Sequence, residues 1–188
     1  MRPWQILLPA ALLVGAATSA VEPRSLADLL VELNRLSPVP LHAIVGEHDT
    51  ALTIQTGDRK LEQILDDVVA QTHGGVARRA DCIDLLNAEV TKDPRHPLRM
   101  PIASFVFEGG DAMQAAFALF SKPELVEARF FITQSWMLTH REELPNVKLS
   151  LEKTTVLEAL DAIAAAGKSY WVIQDQGDKH VLAFHPRP

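Results

Sequence analysis

The sequence predicts an α+β fold of two related small units, each with helices packed on a short mixed or antiparallel β-sheet. Three observations carry this expectation. A short alternating run followed by an amphipathic run occurs twice, with Leu61 and Val156 in corresponding places 95 positions apart. Each copy then meets glycine, at Gly74-Gly75 and at Gly167, and continues into two strand-like runs. A polar stretch broken by Pro94 and Pro97 lies between the copies.

Residues 1–20 read as a secretory signal peptide. Arg2 precedes an apolar run over 6–17, and Thr18-Ser19-Ala20 nearly fits the small-x-small rule, which places a cut after Ala20. The run is short for a membrane span, which needs about 20 residues; an uncleaved anchor is the other reading. No cysteine sits near the cut, which argues against a lipid anchor.

The first unit is expected over 21–90. Ser25-Leu26-Ala27-Asp28 resembles a capping box, and Leu26, Leu29, Leu30 and Leu33 fall on one helical face. Pro38 and Pro40 stop that helix. Residues 41–45 and 52–54 read as strands around Gly46-Glu47-His48-Asp49. Asp58 is placed as the cap of a second helix, whose stripe is Leu61, Ile64, Leu65, Val68 and Val69. Gly74-Gly75 is read as its C-cap. Residues 76–78 and 82–86 follow as strands, and 91–101 are expected as a linker.

The second unit is expected over 102–188. Residues 102–107 read as a strand and Gly109-Gly110 as a turn. Asp111 with Gln114 marks a helix start, with Met113, Ala116, Phe117 and Phe120 on its buried face. Ser121-Lys122-Pro123-Glu124 looks like another helix start. Residues 128–138 fit helix or strand; Phe130, Phe131 and Ile132 favour a strand over 128–133. Val147, Leu149 and Leu151 alternate with Lys148 and Ser150 as a half-buried strand. Thr155 and Glu158 form a capping box for a helix reaching Gly167. Residues 170–173 and 180–184 then read as a hairpin around Asp175-Gln176-Gly177-Asp178.

Charge and cysteine usage narrow the function classes. A net charge of −6 leaves no electrostatic footprint for nucleic acid, and there is no basic amphipathic helix for anionic lipid. Cys82 is the only cysteine, so an exported chain has no internal disulfide and depends on packing. Cys82 is expected as a small buried residue; a reactive or intermolecular thiol is the other reading.

One block carries a family resemblance. Val147-Lys148-Leu149-Ser150-Leu151 is followed by Val156-Leu157-Glu158-Ala159-Leu160-Asp161-Ala162-Ile163, then Gly167, Tyr170-Trp171-Val172-Ile173 and Val181-Leu182-Ala183-Phe184. This order of strand, polar break, helix, glycine and hairpin resembles the short N-terminal domain shared by secretins and TonB-dependent transducers. Residues 52–86 form a looser copy. The resemblance implies an interaction domain of the bacterial envelope, with helices packed on small mixed sheets and no catalytic residues. In that family such modules precede a pore or barrel and contact other envelope proteins; here only the binding module carries over.

Motifs for catalysis and metal binding do not emerge. No two of His42, His48, His73, His96, His140, His180 and His185 show a His-Glu-x-x-His spacing. His180 and His185 fall on opposite faces of an extended segment and are expected as solvated. Asp66-Asp67, and Asp161 at the place matching Asp66, are expected on solvated helix surface, because adjacent helical residues point about 100° apart. No Gly-x-Ser-x-Gly elbow is present. The expectation is therefore a periplasmic, non-enzymatic binding protein without cofactor or metal, an accessory to a secretin, pilus or TonB-type system. Its partner would be an envelope protein, met by strand addition at an exposed sheet edge. The candidate edges are His180, Val181, Leu182, Ala183 and Phe184, and Cys82, Ile83, Asp84, Leu85 and Leu86. The alternative is a small-ligand binding or sensing protein with a pocket between the halves near Phe107, Phe131 and Trp136.

Overall fold

The computed structural model describes residues 22–46, 51–133, 144–176 and 179–188. The fold is α+β. Among the described residues the strands are β1 (Leu41–Val45), β2 (Gly75–Arg78), β3 (Ile83–Leu86), β4 (Pro101–Phe107), β5 (Phe130–Ile132), β6 (Leu149–Thr155), β7 (Ser169–Asp175) and β8 (His180–Pro186). The helices are α1 (Leu26–Leu36), α2 (Leu61–Thr72), α3 (Ala88–Lys92), α4 (Ala112–Phe120) and α5 (Val156–Ala166). Six strands form one mixed sheet in the order β2-β3-β1-β7-β8-β5, and β4 pairs antiparallel with β6 in a separate ribbon.

The strands assigned by sequence to separate units meet inside that sheet. β1 lies between β3 and β7 and is parallel to both, with Ala43 opposite Leu85 and Val172. Alternation along β1 then decides which core each residue enters. Leu41, Ala43 and Val45 join Tyr170 and Val172 against α1 and α2, in a core built on Leu30, Leu33, Ile64 and Leu65. Ile44 joins Trp171, Ile173 and Leu182 in a second core built on α4, α5 and the ribbon. Both faces of β1 are thus covered, which is why Leu41–Val45 is buried throughout. Asn34 closes the turn from α1 into β1: its amide donates to the Leu30 and Leu41 carbonyls and accepts the Leu41 N–H.

The order of elements runs the same way twice. Arg24 and Leu52 form an antiparallel bridge, as β4 and β6 form a ribbon. Each of those pairs encloses a helix and a strand, α1 with β1 and α4 with β5. A second helix and a hairpin follow, α2 with β2–β3 and α5 with β7–β8. In each case the enclosed strand runs parallel to the second strand of the hairpin.

Local signals for three helix starts hold. Ser25, Asp111 and Thr155 are the N-caps of α1, α4 and α5, each accepting a backbone N–H three residues on. Several boundaries differ from expectation. Residues 52–54 make only the single bridge at Leu52, because the Gln71 amide takes both backbone groups of Thr53. Lys60, not Asp58, precedes α2 as N-cap. At the end of α2 the left-handed residue is His73, φ 54°. Gly74 is needed for another reason: a Cβ there would overlap the Leu86 carbonyl oxygen.

The strand expected to begin at Val147 begins at Leu149 and runs directly into α5. Within it Lys153 takes a left-handed backbone conformation, φ 49°. Residues 121–125 turn and lead into a 3-10 turn at Val126–Ala128, not an α-helix. Phe117 lies on the outward face of α4 and is 43% exposed. The segment expected as linker carries the end of α3, a 3-10 turn at Pro97–Arg99 and a fully buried Leu98 packed in the second core. The hairpin forms as expected, with Asp175 opposite His180; residues 177–178 at its tip lie outside the described residues, as do residues 1–20, expected as a signal peptide, and Trp136.

Candidate functional site

The edges expected from sequence are interior strands. β8 pairs with β7 along its length and with β5 at its start, where Thr133 N–H also donates to the Leu182 carbonyl. β3 lies between β2 and β1, and Cys82 is buried just ahead of it. Edge status is set by crossovers, so the last strand in the chain is not the last strand in the sheet. Among the described strands the sheet ends at β2 and β5. Of the residues expected to line an aromatic pocket, Trp136 lies outside the described residues, and the other two are placed differently. Phe107 packs against the second core, whereas Phe131 is 52% exposed, its neighbours Phe130 and Ile132 taking the inward positions.

Asp161 and His180, expected in solvent, are buried, and each belongs to a cluster of buried polar groups. The first sits where β3, β1 and β7 pass beneath α5. His42 and Asp84, paired across the parallel β1–β3 register, occupy the face opposite Leu41 and Ile83. Asp161 of α5 comes down on them. Its Oδ1 accepts the Trp171 indole N–H at 2.9 Å and lies 3.7 Å from His42 Nε2. Arg79 reaches over from the end of β2 and pairs with Asp84 at 2.6 Å and with Asp161. The His42 and Trp171 rings stack, centroids 4.9 Å apart.

This arrangement fixes its own chemistry. His42 Nδ1 accepts the backbone N–H of Trp171 at 3.1 Å, so the neutral ring carries its proton on Nε2, toward Asp161. Burial, with Arg79 nearby, pushes the imidazole down to about 3. Burial pushes the Asp84 carboxyl up to about 6 against the pull of Arg79. Burial, reinforced by Asp84, pushes the Cys82 thiol up to about 11. A thiol without thiolate character and a histidine without a free lone pair do not make a nucleophile and base. Ligand atoms of His42, Cys82, Asp84 and Asp161 all lie within 4.8 Å of one another. Arg79, bonded to both carboxylates, already supplies the positive charge a metal would bring. The cluster is a buried ionic seam joining β1, β3, β7 and α5.

The second cluster is His96, Asp175 and His180, with ligand atoms again mutually within 4.8 Å and all three side chains buried. Asp175 ends β7 and His180 begins β8, directly across the hairpin. His180 Nδ1 stands 3.1 Å from Asp175 Oδ1, and His96 Nε2 stands 4.0 Å from Asp175 Oδ2. Asn87, the N-cap of α3, donates to Asp175 Oδ2 at 3.1 Å. Burial works to raise the Asp175 carboxyl, but the His180 and His96 imidazoles beside it and the Asn87 amide bonded to it outweigh burial and hold the group well below the usual carboxylate range.

Sequence reasoning missed Arg79 and Trp171 as polar partners and placed His180 and Asp161 in solvent. One signal was available: His42 within Leu41–Val45 and Asp84 within Ile83–Leu86 stand alone at positions where alternation demands burial. A cleft of about 600 Å3 does open between the halves, at the ends of α1 and α5, lined by residues including Asn34, Arg35, Asp81, Lys168 and Arg187. The chain matches no protein-family model, no curated protein and no solved structure.

Proposed function

We propose that the protein is an exported envelope module, built of two related units, that binds another envelope protein. The observation that carries this reading is the end of the sheet, among the described strands, at β5. That strand is three residues long and presents Phe131, 52% exposed, at the sheet's margin. Beside it stands α4, Ala112–Phe120, which has no charged residue and turns Phe117 outward; Phe120 of α4 stacks on Phe130 of β5 at 4.1 Å. A neutral, partly apolar face next to a short edge suits an added strand, whose backbone supplies affinity and whose side chains meet the aromatic residues. The twofold element order and the resemblance to the secretin and TonB short domain support the same class. The buried groups around Asp161 are committed to holding β1, β3, β7 and α5 together.

The test is site-specific photo-crosslinking in the envelope. A crosslinker replacing Phe131 should give one discrete adduct that a crosslinker at the exposed Asp66 of α2 does not give. Equal adducts at both positions, or none at Phe131, would refute the reading.

The cleft at the helix ends favours a second reading, a binder of small anions held by Arg35, Lys168 and Arg187. Stabilisation by small carboxylates or phosphates in a thermal-shift screen, lost in Arg187→Ala, would support it over the module.

A further inference from the structure

We infer that His96, Asp175 and His180 form a binding site for a zinc-class divalent metal ion. The donors are two imidazoles and a carboxylate, a set suited to zinc and its neighbours. They come from three places in the chain: the residue ahead of the 3-10 turn at Pro97–Arg99, the end of β7 and the start of β8. Each of the three residues is less than a tenth exposed, and His96 Nε2, Asp175 Oδ1 and His180 Nδ1 have no hydrogen-bond partner in good geometry. Three buried polar atoms aimed at one another without partners are costly unless something satisfies them together.

The distances suit an ion. Donors at zinc distances of about 2.0–2.1 Å in a tetrahedron stand roughly 3.3 Å apart; Asp175 Oδ1 and His180 Nδ1 are 3.1 Å apart, His96 Nε2 is 4.0 Å from the other carboxylate oxygen, Oδ2, and one ligand atom from each of the three lies within 4.8 Å of the others, so His96 must move closer. An outer shell is in place, since the Asn87 amide donates to Asp175 Oδ2 and orients the carboxylate. An entry path exists too: His96 forms one wall of a surface cleft also lined by Ala88, Glu89, Lys92 and Asp93. Three protein donors leave a fourth position for water or an incoming side chain.

One contact opposes metal binding. His96 Nδ1 accepts the Leu98 backbone N–H at 3.2 Å, and a ring that ligates through Nε2 carries its proton on Nδ1. Metal binding therefore gives up that long hydrogen bond. The first cluster differs, because Arg79 is bonded to both of its carboxylates, so a cation there would have to displace a guanidinium.

Isothermal titration of the purified chain with zinc, followed by dialysis and metal analysis, tests the proposal. The expected result is one equivalent bound, with a rise in Tm that chelator reverses. His96→Asn keeps an acceptor for the Leu98 N–H while removing the imidazole, and should weaken zinc binding at least about tenfold. His180→Ala should do the same, and cobalt loading should give visible bands that both variants lose. If no zinc binds the wild-type chain, or if zinc binds folded His96→Asn with unchanged affinity, the proposal falls.

Discussion

Replacing Asp84 by asparagine probes the ionic seam beneath α5 most directly, because the change preserves shape and removes one titration. Asp84 ionises near 3.8 when unfolded and about 6 in the fold. The native state therefore keeps a proton that the unfolded chain releases. Stability from this group is complete below pH 3.8 and is lost as the pH rises through about 6. His42 works in the opposite direction. Its value falls from 6.5 to about 3, so its contribution is present above pH 6.5 and is lost as the pH falls. Each contributes a slope of about 1.4 kcal/mol per pH unit, with opposite signs, so the two nearly cancel between pH 4 and 6. Asp84→Asn removes one slope. The variant should gain up to about 3 kcal/mol over wild type at pH 7 and show no gain at pH 4. In a chain of this size that corresponds to roughly 6–12 °C in Tm at neutral pH. Urea unfolding followed by circular dichroism at pH 4, 5, 6 and 7 measures it. A difference between variant and wild type that stays constant across that range would show that Asp84 does not titrate in the fold as argued.

Other perturbations test neighbouring parts. Trp171→Phe removes the indole donor to Asp161 and some core volume, and should cost about 2–3 kcal/mol in urea unfolding. Thr155→Ala removes the α5 cap and should cost about 1 kcal/mol in the same assay. Leu182→Pro places proline between two pairing strands and should abolish folding; a well-dispersed NMR spectrum from that variant would contradict the interior placement of β8. Phe131→Lys, at the sheet's margin, should shift stability by no more than about 0.5 kcal/mol.

What could be read from the sequence is what local physics decides. Ser25, Asp111 and Thr155 cap helices because a side-chain oxygen finds a backbone N–H three residues away, and nothing distant changes that. Leu41–Val45 and the hairpin of β7 and β8 are likewise visible in composition and turn residues. The neighbours of a strand are another matter. β1 lies beside β7, with His42 bonded to Trp171 across 129 residues, and no periodicity reports such a crossover. β5 pairs on the outer flank of β8 and so takes the margin from it, and α5 lies over β1 and β7, which turns Asp161 inward onto His42 and Trp171. Phe117 illustrates the converse: its spacing matched Met113 and Phe120, yet the face it occupies has nothing packed over it among the described residues.

The central position of β1 shapes how the chain is made. Leu41–Val45 emerges early, finds β3 after about forty more residues, and then waits for β7. At roughly 5–20 residues per second, the 129 residues separating His42 from Trp171 take on the order of 6–26 s to synthesise. Throughout that interval a strand apolar on both sides leaves one flank of its backbone bare in the nascent chain. Premature pairing with a second nascent copy is the hazard at that stage, and whatever escorts the chain must shield Leu41–Val45 until Ser169–Asp175 arrives.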